Sequence, residues 1–141
     1  MPVLDASVCV AIFNNREPGH PAATAWLAAA SLREEPIVAP VLLLAEVAAA
    51  LARAGIDDPS SREVVELLRG RRLLELFPID EKLAARAAAL ASLLHLRGAD
   101  AVYVALADHL GLSLITFDRE QLERGARAVE ARHPPPVPAA T

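Results

Sequence analysis

The chain opens on a short apolar run, Pro2-Val3-Leu4, that reaches a carboxylate at Asp5 and passes at once into an apolar stretch of helical length, Ala6 to about Asn14. This predicts a central strand whose C-terminal end presents Asp5 and then turns into a helix. Asn14-Asn15-Arg16-Glu17-Pro18-Gly19 is a loop by its turn residues. Pro21 suits the start of a second helix running to about Ser31, with Trp26 and Leu27 on its apolar side. Pro36-Ile37-Val38-Ala39 predicts a second strand, ended by Pro40. Val41 to Ala54 is a helix by propensity, with Gly55 placed to cap it, and being apolar nearly all round it is expected to be buried. Asp58-Pro59-Ser60-Ser61 opens another helix, whose end, Arg69-Gly70-Arg71-Arg72, is a basic cluster. Leu73 to Ile79 has strand character, and Asp80-Glu81 starts a long Ala/Leu helix ending at Arg97-Gly98. Asp100 to Leu110 is the next helix, stopped by Gly111; Leu112 to Phe117 is a strand, Asp118 starts a short helix, and Ala126 to Glu130 is expected as a last edge strand.

Strands that alternate with helices predict an α/β fold, a central, mostly parallel sheet with helices on both faces. At 141 residues the chain is one domain, expected over residues 1–132, followed by a proline-rich, flexible tail over 133–141. The tail contains a PxxP match that is read as inert. The hydrophobic share, 54%, is high for a domain of this size. No apolar run approaches the ~18 uninterrupted residues of a membrane span, and no basic stretch precedes the first strand as in a signal peptide. The surplus apolar surface therefore points to a subunit contact. Cys9 is the one cysteine, flanked by Val8 and Val10, which fits a buried small hydrophobe in a reducing, cytoplasmic setting. A net charge of −4 argues against a protein that coats nucleic acid through a basic surface, but not against an enzyme that meets phosphates through bound cations.

Four carboxylates carry the candidate chemistry. Asp5, Asp100 and Asp118 each have an ordinary alternative as a helix cap, Asp118 with Gln121 three residues on as a capping box. Glu46 is different: it is the only charged or polar residue between Val41 and Ala52, and burying a lone charge costs several kcal/mol unless it is paired or metal-bound. Its alternative is a carboxylate reaching solvent at the helix edge. Asp5 and Asp118 follow strands, and Asp100 opens the helix that leads into the last of them, so the three belong at one sheet edge, within reach of Glu46. Acids gathered this way repel one another unless cations sit among them, and oxygen-only donors suit Mg²⁺ or Mn²⁺. Zinc is not supported, because His20, His95, His109 and His133 show no ligand spacing.

These stretches resemble the PIN-domain ribonucleases of the VapC toxin type. The likeness rests on Val3-Leu4-Asp5-Ala6-Ser7, Leu42-Leu43-Leu44-Ala45-Glu46-Val47, Arg97-Gly98-Ala99-Asp100 through Ala107, and Leu114-Ile115-Thr116-Phe117-Asp118, in the family's order. The resemblance implies Asp5, Glu46, Asp100 and Asp118 around one or two Mg²⁺ or Mn²⁺ ions, with Ser7 and Thr116 shaping the site; as an alternative, both hydroxyls serve nearby backbone groups. It implies a metal-dependent endoribonuclease, the toxin of a toxin–antitoxin pair. Its partners would be a small VapB-like antitoxin, an RNA substrate such as tRNA or rRNA, and a second copy of the chain in a homodimer that uses the surplus apolar surface. Leu43 departs from the pattern, since many members carry a hydroxyl three positions before the helix Glu. Arg69, Arg71 and Arg72 are candidate phosphate contacts, with a solvated helix end as their alternative. A non-catalytic PIN-like binding module is the competing reading. On the nuclease reading, Asp5→Asn or Asp100→Asn removes cleavage and leaves the melting temperature unchanged or raised.

Overall fold

The computed structural model describes residues 1–70 and 72–139. Its sheet is built from β1 (Val3–Leu4), β2 (Ile37–Pro40), β3 (Leu74–Phe77), β4 (Leu114–Ile115) and β5 (Ala131–Arg132). The spatial order is β3-β2-β1-β4-β5 and every pairing is parallel. The α/β fold with a parallel sheet thus stands as expected, and β1 is central: Val3 is in register with Val38 on one side and Leu114 on the other. Parallel strands need crossovers, and here these are α1 (Ala6–Phe13), α2 (His20–Leu32), α3 (Leu42–Arg53), α4 (Asp58–Arg69), α5 (Glu81–Leu94), α6 (Gly98–Leu110) and α7 (Arg119–Glu123).

The chain leaves β1 toward β2 on one side, and β4 returns on the other, so the direction of winding reverses between β1 and β4. In open α/β sheets the crevice at such a reversal, outside the carboxyl ends of the strands, is where ligands bind. The core beneath it holds Val3, Val8, Val38, Leu43, Val47, Tyr103 and Val104, each fully buried. α6 runs through this core, since Tyr103 to Ala107 are all buried. Cys9 is 1% exposed, and burial pushes its thiol up to about 12. Among the described residues no single helix is long and apolar enough to cross a membrane.

Three expectations change. α3 is not buried all round: Leu43, Val47 and Leu51 face the core, whereas Ala45, Ala49 and Ala52 are exposed. Alanine costs little to leave in water, so a helix of Ala and Leu conceals an amphipathic pattern that the Leu and Val positions carry alone. The last edge strand is Ala131–Arg132, not Ala126 to Glu130. Residues Gly125–Arg127 instead form a 3₁₀ turn, with Ala128 N–H and Val129 N–H both donating to the Gly125 carbonyl. Gly125 fits there because a Cβ would stand 3.2 Å from Val104 Cγ2, which holds the turn close against α6. The strands are also shorter than the apolar runs, β4 spanning two residues where Leu112 to Phe117 read as strand. After β5, residues 133–139 carry no helix or strand, and Pro134 is buried.

Candidate active site

Asp5 stands directly after β1 and is 4% exposed. It caps α1, accepting from Ser7 N–H at 3.1 Å, but the cap is only part of its environment. Ser7 Oγ donates to Asp5 Oδ2 at 2.6 Å and Thr116 Oγ1 donates to the same oxygen at 3.0 Å, while Gln121 Nε2 reaches Asp5 Oδ1 at 3.1 Å. Each hydroxyl is itself fixed by the backbone beyond β4: Ser7 Oγ accepts from Phe117 N–H at 2.9 Å, and Thr116 Oγ1 accepts from Asp118 N–H at 2.9 Å. With their single protons spent on Asp5, the two hydroxyls tie the end of β1 to the end of β4. The backbone role expected as their alternative and the role beside the acid are therefore held together.

Asp118 caps α7 by accepting from Gln121 N–H at 2.8 Å. Asp100 does not cap α6, which starts at Gly98 with no side-chain cap; it lies in the first turn and faces the other acids. Arg97 Nε donates to Asp100 Oδ2 at 3.1 Å and Arg97 Nη2 to Asp118 Oδ2 at 3.3 Å. Gln121 Nε2 links Asp100 Oδ1, at 3.1 Å, to Asp5. Burial and the nearby Asp118 charge hold the Asp100 carboxyl above its ordinary range, and the Arg97 guanidinium does not offset them. That guanidinium is 72% exposed on its side chain, so water screens much of what it contributes.

Glu46 approaches from α3. Burial, with the Asp5 and Asp100 charges adding to it, raises its carboxyl above the usual range, and the Tyr103 hydroxyl opposes this. Neither Glu46 Oε1 nor the Tyr103 hydroxyl completes a hydrogen bond of ordinary geometry, although both atoms are buried. Position 43, where a hydroxyl is common in the resembling family, holds a Leu that is fully buried in the core. The polar group beside Glu46 is instead the phenol of Tyr103, brought from α6.

Asp5, Glu46, Asp100 and Asp118 thus gather at the carboxyl ends of β1 and β4, with Ser7 and Thr116 among them. Gln121, Arg97 and Tyr103 are the residues of this cluster that the sequence reading did not single out. Gln121 appeared there only as half of a capping box, and no periodicity distinguishes its amide from a solvated one. Arg69 and Arg72 lie elsewhere. α4 runs back from the carboxyl end of the sheet, so Arg69 ends near the start of β3, where it pairs with Glu66 at 2.9 Å. Arg72 lines a cavity at that same end with Ser31 and Glu34, remote from the acids; Arg71 lies outside the described residues.

The donor set is all oxygen, as hard divalent cations require, and Glu46 Oε1 is a buried acceptor without a hydrogen-bond donor among the described residues. The residues therefore fit Mg²⁺ or Mn²⁺ in kind. Among the described residues, no three acidic, His or Cys side chains converge on one point closely enough to share an ion as they lie. Arg97 and Gln121 bridge the acids in the present arrangement.

The raised Glu46 and Asp100 carboxyls have a consequence for stability. A group whose folded pKa exceeds its unfolded value stabilises fully below the unfolded pKa, and that contribution is lost as pH rises through the folded value. In metal-free buffer containing EDTA, the parent is therefore expected to be less stable than Asp100→Asn at neutral pH. The gap should close as pH falls into the ordinary carboxylate range. Thermal melts of the two proteins across pH check this, and a gap that stays constant or widens toward acid contradicts it.

The PIN-domain family model matches residues 3–127. Among solved structures, the chain is similar to VapC20 of Mycobacterium tuberculosis, a sarcin-ricin-loop-cleaving toxin, at 16% identity over 92% of this chain and 96% of that one, with a TM-score of 0.75. It is similar to FitAcB of Neisseria gonorrhoeae at 22% identity, 95% and 98% coverage and a TM-score of 0.69. It is also similar to VapBC2 of Rickettsia felis, solved with a promoter DNA fragment, at 14% identity, 93% and 96% coverage and a TM-score of 0.70. At these identities the likeness to solved structures shows a shared fold. A comparison with curated protein sequences finds no match. The family match spans most of the chain and includes all four acids, and by it the chain belongs to the PIN-domain family.

Proposed function

We propose that this protein is a divalent-metal-dependent endoribonuclease, the toxin of a VapBC-type pair, acting on RNA in the cytoplasm. The observation that carries the proposal is the nearness of four carboxylates at the β1/β4 crevice, one of them with a buried oxygen that has no hydrogen-bond partner among the described residues. Mg²⁺ or Mn²⁺ held among Asp5, Glu46, Asp100 and Asp118 would activate water and neutralise charge at a scissile phosphate. The chain's own part is to fix those oxygens. Asp5 is immobilised by Ser7, Thr116 and Gln121. Glu46 is half-buried, with its Oε1 enclosed, and Arg97 places a cation at the outer rim of the acids. Similarity in fold to a sarcin-ricin-loop-cleaving toxin, and to toxin–antitoxin complexes, supports RNA as substrate and a small antitoxin as partner. The exposed Leu67 and Leu93 offer apolar surface for a homodimer.

The test is metal titration joined to cleavage. Calorimetry is expected to show Mn²⁺ binding, and total cellular RNA should be cut with Mg²⁺ or Mn²⁺ and left intact with EDTA. The competing reading, a non-catalytic module acting through protein contacts, draws support from the way Arg97 and Gln121 satisfy the acids without an ion. It predicts no heat with Mn²⁺ and no metal-dependent cleavage.

A further inference from the structure

A groove of about 500 Å³ opens beside the acids, inside the roughly 300–1,000 Å³ span of small-ligand sites. Its floor is apolar, from Val10 and Ala11 of α1 and Ala50 of α3, and Glu46, Phe117 and Arg53 line it. Glu46 and Arg53 are seven residues apart on α3, hence on one helical face and about 10 Å apart along the axis. The groove therefore runs from the candidate active site to a cation.

Two of these side chains are unused by the acid cluster. The Phe117 ring makes none of the polar contacts there, since only its backbone N–H binds Ser7. The ring is instead set by Gly19 of the preceding loop: a Cβ at that position would fall 2.7 Å from Phe117 Cε2, so only glycine lets the loop and ring meet this closely. Arg53 is exposed and, among the described residues, forms no ion pair. An aromatic ring and an unpaired guanidinium flanking an apolar floor match the two repeating parts of a single strand of nucleic acid, a flat base and a phosphate.

Resting on the nuclease reading above, we propose that this groove is a nucleoside subsite for single-stranded RNA, in which one base stacks on Phe117 and a neighbouring phosphate pairs with Arg53 while the scissile phosphate lies at the acids. Base stacking is tolerant of sequence, because every base has a π-face, so this subsite sets strand conformation more than base identity. Glu17, also on the groove, offers an acceptor to a ribose hydroxyl.

The test measures binding of a fluorescein-labelled, mixed-sequence single-stranded RNA oligonucleotide, by anisotropy with Mn²⁺ present. It uses the full chain carrying Asp100→Asn to prevent cleavage. In that background Phe117→Leu is expected to weaken binding about ten-fold, and Phe117→Trp to stay within about two-fold of the parent. Arg53→Gln should weaken binding several-fold and reduce the slope of log K against log salt by about 0.7, one single-strand phosphate contact. In a scan of abasic nucleotides, one position should weaken the parent as Phe117→Leu does and have no effect on that variant. Melting curves check that each variant folds. Should Phe117→Leu fail to fold, Gly19→Ala displaces the ring without changing it and is expected to weaken binding in the same direction. If the parent binds RNA and Phe117→Leu, Gly19→Ala and Arg53→Gln bind equally tightly, the subsite is overturned and the nuclease reading stands. If they keep RNA but lose a purified antitoxin, the groove belongs to a protein partner and the proposal is overturned. If the parent binds no RNA and the wild-type chain cuts none, the nuclease reading fails and the subsite with it.

Discussion

Asp100→Asn is expected to reduce RNA cleavage by at least about a thousand-fold, several kcal/mol of transition-state stabilisation at 1.36 kcal/mol per decade, and to raise the melting temperature of the metal-free protein. The two effects have one origin. Asp100 is half-buried, close to Asp118, and held above the usual carboxylate range, so its charge is a burden on the fold without a cation. An amide removes that burden and the anionic donor together. Single-turnover cleavage beside a melt in EDTA measures both, and cleavage at the parental rate would remove Asp100 from the site.

Asp5→Asn should match it in activity and differ in stability. Asp5 accepts from Ser7 N–H, Ser7 Oγ, Thr116 Oγ1 and Gln121 Nε2, so both of its oxygens are engaged. An asparagine offers one oxygen, and its NH₂ turns toward donors whichever way the amide is set. Each buried donor left unmet costs about 1–3 kcal/mol. A lower melting temperature is therefore expected for Asp5→Asn, where the residue types alone suggested that it would hold or rise. Asp100 and Asp118 accept two side-chain or cap hydrogen bonds each, and Asp5 accepts four, so the fold depends most on Asp5.

The second large effect is expected at Gln121. Its side chain is fully buried and its amide donates to Asp5 and Asp100 at once. Gln121→Glu keeps the size, removes both donors and adds a carboxylate beside two others. Breaking a buried polar link in this way and leaving charge uncompensated costs about 3–5 kcal/mol. In EDTA at neutral pH the variant should melt on the order of 10 °C below the parent. Acidification should recover part of the loss, because protonation restores a neutral donor, and Mn²⁺ should recover part by screening the added charge. Urea unfolding in EDTA at neutral pH, in EDTA at acid pH and with Mn²⁺ tests this; a variant as stable as the parent under all three conditions would show that the amide bridge carries no weight.

These effects also mark what was legible in the sequence. The parallel α/β order followed from the alternation of apolar runs with capped helices, and the four acids drew notice because Glu46 is conspicuous on an apolar helix and Asp5 and Asp118 follow strands. Gln121 and Tyr103 were not distinguishable, because their roles depend on contacts across 116 and 57 positions of chain to Asp5 and Glu46. No local spacing encodes such a contact. The misplaced edge strand has a similar cause. Ala126 to Val129 alternate well enough for a strand, but Gly125 fits tightly against Val104, and the turn that this closeness permits takes those residues out of the sheet. Arg69 and Arg72 attracted notice through charge alone, and the direction of α4 carries them to the wrong end of the sheet.

Cys9 has a practical outcome for every experiment above. Its sulfur is enclosed by the core, and burial, with the Asp5 charge, holds the thiol well above its ordinary range. Maleimides and other thiol reagents would pass the native chain by. A cysteine introduced on the surface, at Leu32 for instance, which is 87% exposed, would be the sole reactive position for a fluorophore or spin label, with no background to engineer away.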